Sequence, residues 1–281
     1  MPSSLFRFVS VMMLAASLLP LLAQNAPGKI VVPIKYDDVE SYQNGMALVK
    51  LGEYWGYVDK TGREVIPCKY DSYFYSFGIT EDLACLADEG WFGYFYKSGK
   101  VAIPFDYHNA WPFAEVLGMV CLDDKWGFID KKNRVVVPLK YDMAFPFTEG
   151  LASVMLDDKW GFIDKTGREV VPLKYDEVDK FSEGLASVTL DDQLGFIDNT
   201  GREVIARKYE LSEPFHDGLA GVTLNGQLGF IDRTGKEIVP PRYDYTFPGG
   251  TYSEGMVVVC LKGKWGFLDA QGREVIPLTY S

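Results

Sequence analysis

The sequence predicts an all-β tandem array in which short antiparallel units stack on one another. Three observations lead there. A glycine after a large apolar residue recurs at Gly56, Gly93, Gly127, Gly161, Gly195, Gly229 and Gly266, at intervals of 37, 34, 34, 34, 34 and 37 residues. Between those glycines, alternating runs rich in β-branched residues are separated by turn signals, the pattern of short strands. A tyrosine closes every unit without exception, at Tyr70, Tyr107, Tyr141, Tyr175, Tyr209, Tyr243 and Tyr280.

Residues 1–23 carry one basic residue, Arg7, followed by an uncharged apolar stretch from Phe8 to Ala23 interrupted by Pro20. This is the pattern of a secretory signal peptide, and it is shorter than the ~20 apolar residues of a membrane span. We therefore expect export, cleavage after Ala23, a short linker over 24–28, a single repeat domain over 29–281 and no membrane insertion of the mature chain. Within one unit, LASVML, KWGFID and REVVP read as three strands. The hairpin between the first two holds Asp157-Asp158, Asp191-Asp192 or Asn225-Gly226, and Asn-Gly is the strongest short hairpin signal because both residues tolerate positive φ. The second turn is Asp-x-Thr-Gly, as in Asp164 to Gly167. Here the aspartate can bond its own backbone two residues on, and glycine supplies a left-handed residue. In the third unit that slot is Asn133, the non-glycine residue best suited to it, and Tyr96 is the one departure from the aspartate.

In the second strand, period-two geometry places Trp160, Phe162 and Asp164 on one face and Gly161 and Ile163 on the other. A glycine inside a strand implies close packing against its backbone, which we assign to a neighbouring aromatic side chain. Proline at Pro67, Pro104, Pro138, Pro172, Pro240 and Pro277 is expected to end the third strand, with Ala206 the exception. Because phenylalanine would supply the same apolar area, the repeated tyrosine implies a hydroxyl with a fixed partner. The segment after it is long enough for a helical turn or a fourth short strand.

KWGFIDKTGREVVPLKYD resembles the WG repeat, also called KWG, of bacterial secreted and surface proteins, over roughly residues 29 to 281. The motif residues are Trp55, Gly56, Trp126, Gly127, Trp160, Gly161, Trp265 and Gly266, with Leu194 and Leu228 departing at the tryptophan slot. The resemblance implies an array used for binding or assembly, without a shared catalytic motif. Seven units suit either an open, superhelical stack of three-stranded units or a closed seven-bladed, propeller-like ring. The extra KIVVPIKY before the first unit makes eight third-strand segments, and a surplus strand favours the open array with an end cap.

Loss of the signal peptide removes Arg7 alone among charged residues, leaving 27 basic and 39 acidic residues and a net charge of −12. Nucleic acid is excluded as a partner, since phosphate binding requires a basic face. The four cysteines, Cys68, Cys85, Cys121 and Cys260, lack CxxC spacing, and Cys85, Cys121 and Cys260 align at one partly exposed strand position, where a Cys85 to Cys121 disulfide is an open alternative. His108 and His216 occupy different repeat positions, and no phosphate loop, nucleophile elbow or Cys-His pair occurs. The Asp-Asp pairs at 123, 157 and 191 are candidate calcium ligands, although solvated turns are the simpler reading. We expect no cofactor, no metal and no enzymatic activity.

Divergence concentrates at the junction of units two and three. Tyr73, Tyr75, Trp91, Tyr94, Tyr96 and Trp111 there form a candidate binding patch, since aromatics with polar tips suit a sugar platform or a protein interface. The function expected from these features is an exported scaffold that binds another protein or cell-envelope component. A carbohydrate-binding module using that patch is the alternative, and a hydrolase with an unrecognised site a third.

Overall fold

A computed structural model describes residues 35–71, 79–244 and 252–280. The expected signal peptide and linker and most of the surplus segment 29–36 lie outside the described residues. Every regular element described is a strand. Seven four-stranded antiparallel sheets follow one another, the last two joined where Asp244 pairs with Cys260. The fourth sheet shows the plan, with Met143–Ala144, Leu151–Leu156, Lys159–Asp164 and Glu169–Tyr175 paired in chain order. Each unit is thus four-stranded, not three-stranded: the segment after the preceding tyrosine forms a two-residue strand at the sheet edge.

The turn chemistry explains why the chain reverses where it does. Asp157 and Asp158 have φ of 51° and 59°, as do their counterparts Asp123, Asp124, Asp191 and Asp192 within a few degrees, so the hairpin is a two-residue turn whose twist matches the strands. In the second turn Asp164 Oδ1 accepts from the Thr166 amide (2.9 Å), the Thr166 hydroxyl (2.6 Å) and the Arg168 amide (3.1 Å). Its Oδ2 receives Arg168 Nε at 3.0 Å. These donors, the Thr166 hydroxyl foremost, hold the Asp164 carboxyl at about 2. Asp59, Asp130, Asp198, Asp232 and Asp269 are lowered in the same way, and Asn133 carries the left-handed residue at φ 60°.

The motif glycine and the proline belong to one device. Trp160 pairs with Tyr175 and Phe162 with Val171, so two steps on the second strand oppose four on the third. The third strand bulges at Pro172, and the bulged backbone lies on Gly161. A methyl group there would sit 2.5 Å from the Val171 carbonyl oxygen and 2.8 Å from the Leu173 amide nitrogen. Backbone, not an aromatic side chain, therefore covers the glycine, because the surplus residues have nowhere else to go. Proline does not end the strand, which runs three residues further to Tyr175. It occupies the bulge, where a missing donor costs no ladder bond.

From the second to the sixth, each sheet is buried on both faces. Phe162, Val171 and Tyr175 pack on Phe181, Ala186, Val188 and Ile197 of the following sheet. Ile163, Ala152 and Val154 pack on Phe128, Val137 and Tyr141 of the preceding one. The same arrangement builds all six junctions between consecutive sheets. The chain passes from sheet to sheet at the peptide after the tyrosine: Tyr175 still pairs with Trp160, whereas the Asp176 amide already donates to the Thr189 carbonyl of the next sheet (2.9 Å). Among the described residues the array is open. Tyr280 is 62% exposed where Tyr175 is 5% exposed, and no core cluster joins the first sheet to the last.

Replacing Gly161 by alanine should force the bulge off its seat and cost roughly 1–3 kcal/mol, the range for overpacking, read as a lower urea midpoint with little change in slope. The acid side is equally specific. Because the Asp164 carboxyl titrates below its unfolded value of about 3.9, its contribution is full above that pH and disappears as pH falls towards 2. Denaturation of Asp164→Asn should therefore differ from the parent at pH 7 and converge with it near pH 2; a constant difference would refute the role of the charged turn.

Candidate interaction surface

The residues singled out at the junction of units two and three do not form one surface. Tyr73 and Tyr75 lie outside the described residues. Trp91 and Tyr96 begin and end the strand Trp91–Tyr96, on opposite faces and about 17 Å apart at the usual strand rise. They are 40% and 41% exposed. Tyr94 takes the place of Phe162 in its sheet and is buried against Phe113, its hydroxyl donating to the Trp111 carbonyl at 2.7 Å. Trp111 is half-buried against the core between sheets three and four. Burial also pushes the Tyr94 phenol well above its ordinary value.

The repeat tyrosines Tyr70, Tyr141, Tyr175, Tyr209 and Tyr243 are core residues, but a uniform hydroxyl partner is not what unites them. Tyr107 donates to Asn133 Oδ1 (2.7 Å) and Tyr243 accepts from Arg242 (2.9 Å), whereas the buried Tyr209 hydroxyl has no partner among the described residues. The recurrent contact is with the residue before: Lys69, Lys140, Lys174 and Lys208 place their ammonium 4.9–5.0 Å from the ring centroid, and Arg242 does the same with its guanidinium.

Two series of polar residues went unread in the sequence. The residue after each tyrosine accepts a backbone amide from the hairpin of the next sheet: Asp37 from Gly52, Asp71 from Glu89, Asp142 from Asp157, Asp176 from Asp191, Glu210 from Gly226 and Asp244 from Gly263. His108 fills that place in the third unit, its Nδ1 receiving the Asp123 amide at 3.2 Å. At the opposite end, glutamates in the turns bind the next turn: Glu81 receives the Val116 amide, Glu115 that of Gly150, Glu149 that of Gly184 and Glu183 that of Gly218, at 2.8–2.9 Å. The signal was present as Tyr-Asp and Glu-Gly repeats, but both read equally well as solvated turns.

The two series together engage ten carboxylates, six after tyrosines and four in the turns. Lys125 and Lys159, beside the Asp-Asp turns, pair with Asp142 and Asp176, and among the described residues no three Asp, Glu, His or Cys side chains converge to hold a metal. All four cysteines are free. Cys121 and Cys260 pair with Trp126 and Trp265 and are buried rather than partly exposed. Cys85 pairs with Tyr94, two positions away in register, so it does not share their slot; Ala87 does. Burial raises the thiols of Cys68, Cys85 and Cys121, which makes them poor nucleophiles.

Among the described residues, the outer face of the seventh sheet is left uncovered. Met256, Val258, Trp265, Phe267, Ile276 and Tyr280 hold the positions that Leu151, Ser153, Trp160, Phe162, Val171 and Tyr175 hold in the fourth. There they meet the next sheet; here they are half-buried or exposed. The WG containing repeat matches the sequence at 25–55, 55–85, 92–126, 126–160, 160–193, 195–227, 229–265 and 265–281. The chain belongs to the WG-repeat family. After the first, which starts at Asn25, each WG window begins at the glycine that follows the large apolar residue or at that residue itself, in mid-sheet, so the fourth sheet draws its first two strands from one window and its last two from the next. The last WG window, 265–281, is a short copy, and the surplus third-strand segment falls within the first, 25–55. No curated protein matches the chain. A crystal structure of the eukaryotic initiation factor is similar at 13% identity, over 91% of this chain and 81% of that one, with a TM-score of 0.56. BamB from Moraxella catarrhalis is similar at 10% identity, over 82% and 80%, with a TM-score of 0.44. Of the two, the first bears on the fold, and at that identity on nothing else.

Shortening one rung of the WG glutamate series tests whether it ties sheets together. Glu149→Asn keeps a residue tolerant of the local φ of 52° but cannot reach Gly184. Amide exchange at Gly184 should accelerate about fivefold, the equivalent of one hydrogen bond of ~1 kcal/mol, while exchange at Gly150 stays unchanged.

Proposed function

We propose that this WG-repeat protein is an exported, non-enzymatic scaffold that binds another protein at the bacterial cell envelope. The observation that carries the reading is the uncovered outer face of the seventh sheet, where Tyr280 and Val275 are exposed beside Trp265, Phe267 and Ile276. An apolar face of this kind on a chain otherwise saturated with internal contacts is characteristic of an association surface. The apolar stretch at 8–23, with its single basic residue, supports export. The repetition of each acidic group in equivalent, already bonded positions supports a role without catalysis.

A photo-crosslinking residue placed at position 280 in cells should yield a discrete protein adduct, and the same residue at exposed Leu211 should not. Mass spectrometry should find the mature chain beginning after Ala23, outside the cytoplasm. Equal crosslinking at both positions, or retention of the first 23 residues in a cytosolic fraction, would sink the proposal.

The glycan reading now rests on different residues from the junction patch. Phe145, 42% exposed, stacks on half-buried Trp160 with centroids 5.6 Å apart and planes at 25°, a ring pair able to receive a sugar face. Glycan binding that is lost in Phe145→Ala but survives Trp91→Ala would establish it in place of the protein partner.

A further inference from the structure

We infer that the uncovered face of the seventh sheet takes a second copy of this chain, face to face about a two-fold axis, so that the scaffold is a tail-to-tail dimer. The inference rests on the reading of that face as an association surface and names its occupant.

Six filled junctions in the same chain show what such a face requires, which is the apolar face of another sheet. The face a preceding unit would otherwise meet, on the first sheet, is closed: Ala47, Val49 and Val58 are buried and pack with Tyr36 and Cys68. A head-to-tail filament would have to displace that cover. Edge-to-edge pairing through Glu274–Tyr280 is opposed by Pro277, which lacks a donor in the middle of the strand. A face-to-face pair displaces nothing and puts Met, Trp, Phe and Tyr together at the centre, the residue types enriched in interface cores.

Charge supplies the register. The seventh hairpin is Lys262-Gly263-Lys264, where the third, fourth and fifth hairpins carry Asp-Asp. The other end of the sheet carries exposed Glu254 and Glu274, about 17 Å away along the strands. A two-fold axis lying between the two sheets and perpendicular to their strands lays the lysines of one copy on the glutamates of its partner and reciprocally, as an isologous contact demands. Four strands about 4.8 Å apart and about 20 Å long give a footprint on the order of 400 Å², which places the contact among small interfaces. A concentration-dependent monomer–dimer equilibrium is therefore expected.

The mature chain, residues 24–281, should show that equilibrium in sedimentation velocity under reducing conditions, weakening as salt rises. Tyr280→Asp, at a position too exposed to endanger folding, should raise the dissociation constant about thirtyfold or more. Lys262→Glu with Lys264→Glu should also weaken the dimer, and adding Glu254→Lys with Glu274→Lys to that chain should restore it. Circular dichroism melts matching the parent confirm that each variant is folded. A monomer at every soluble concentration, a dimer indifferent to Tyr280→Asp, or a four-fold charge swap that fails to restore association would each overturn the dimer. A monomer whose position 280 still crosslinks to an envelope protein would overturn the dimer and leave the scaffold reading standing.

Discussion

Two-sided burial is the constraint on which the rest of the structure depends. Phe162 and Ile163 are neighbours in one strand and both are buried, but against different sheets. A single sheet of this kind has no solvent side to fall back on, so it is stable as the filling between two others. Order along the chain then becomes spatial order, because each tyrosine must reach the core that lies between its own sheet and the next. The same constraint makes the ends exceptional. The first sheet has its outer face closed, and the last sheet presents the aromatic side of a junction with nothing from its own chain to meet it among the described residues.

Stacking at this density leaves little room, and the Trp-Gly pair, the proline and the tyrosine are three consequences of one backbone path. The third strand carries more residues than its partner, bulges at Pro172 and lies on Gly161, and only then can Tyr175 come back opposite Trp160. Gly195 shows that the path does not need proline. Its unit has Ala206 instead, yet a methyl on Gly195 would still lie 2.5 Å from the Ile205 carbonyl oxygen. Proline suits the bulge without creating it; glycine is obligatory, because what covers it is main chain and cannot yield as a side chain could.

The acidic composition takes on a structural meaning at the sheet edges. Carboxylates after the tyrosines and in the Glu-Gly turns each accept an amide from the following unit, so part of the chain's negative charge joins neighbouring sheets. Asp164 and its counterparts serve inside their own turns. Side chains engaged in this way have their oxygens committed to amides within the array.

By itself the sequence determined the strand content, the repeat length, both turn types and the open stack, because these follow from local period, from φ preferences at Asp, Asn and Gly, and from counting third-strand segments. It also marked Leu194 and Leu228 as apolar substitutes at the tryptophan slot. Tertiary structure decided what no local pattern encodes. The fourth strand is two residues long and leaves no period to read. The cover over Gly161 is a main-chain bulge from a strand ten residues on, and Cys85 and Cys121 differ in register although they seem to align. The aromatic residues near the second and third units separate because a strand turns its side chains alternately to opposite faces and carries Trp91 and Tyr96 to opposite ends. The exposed face of the seventh sheet was likewise hidden, since its residues have the same types as their buried counterparts and differ in meeting no further sheet among the described residues.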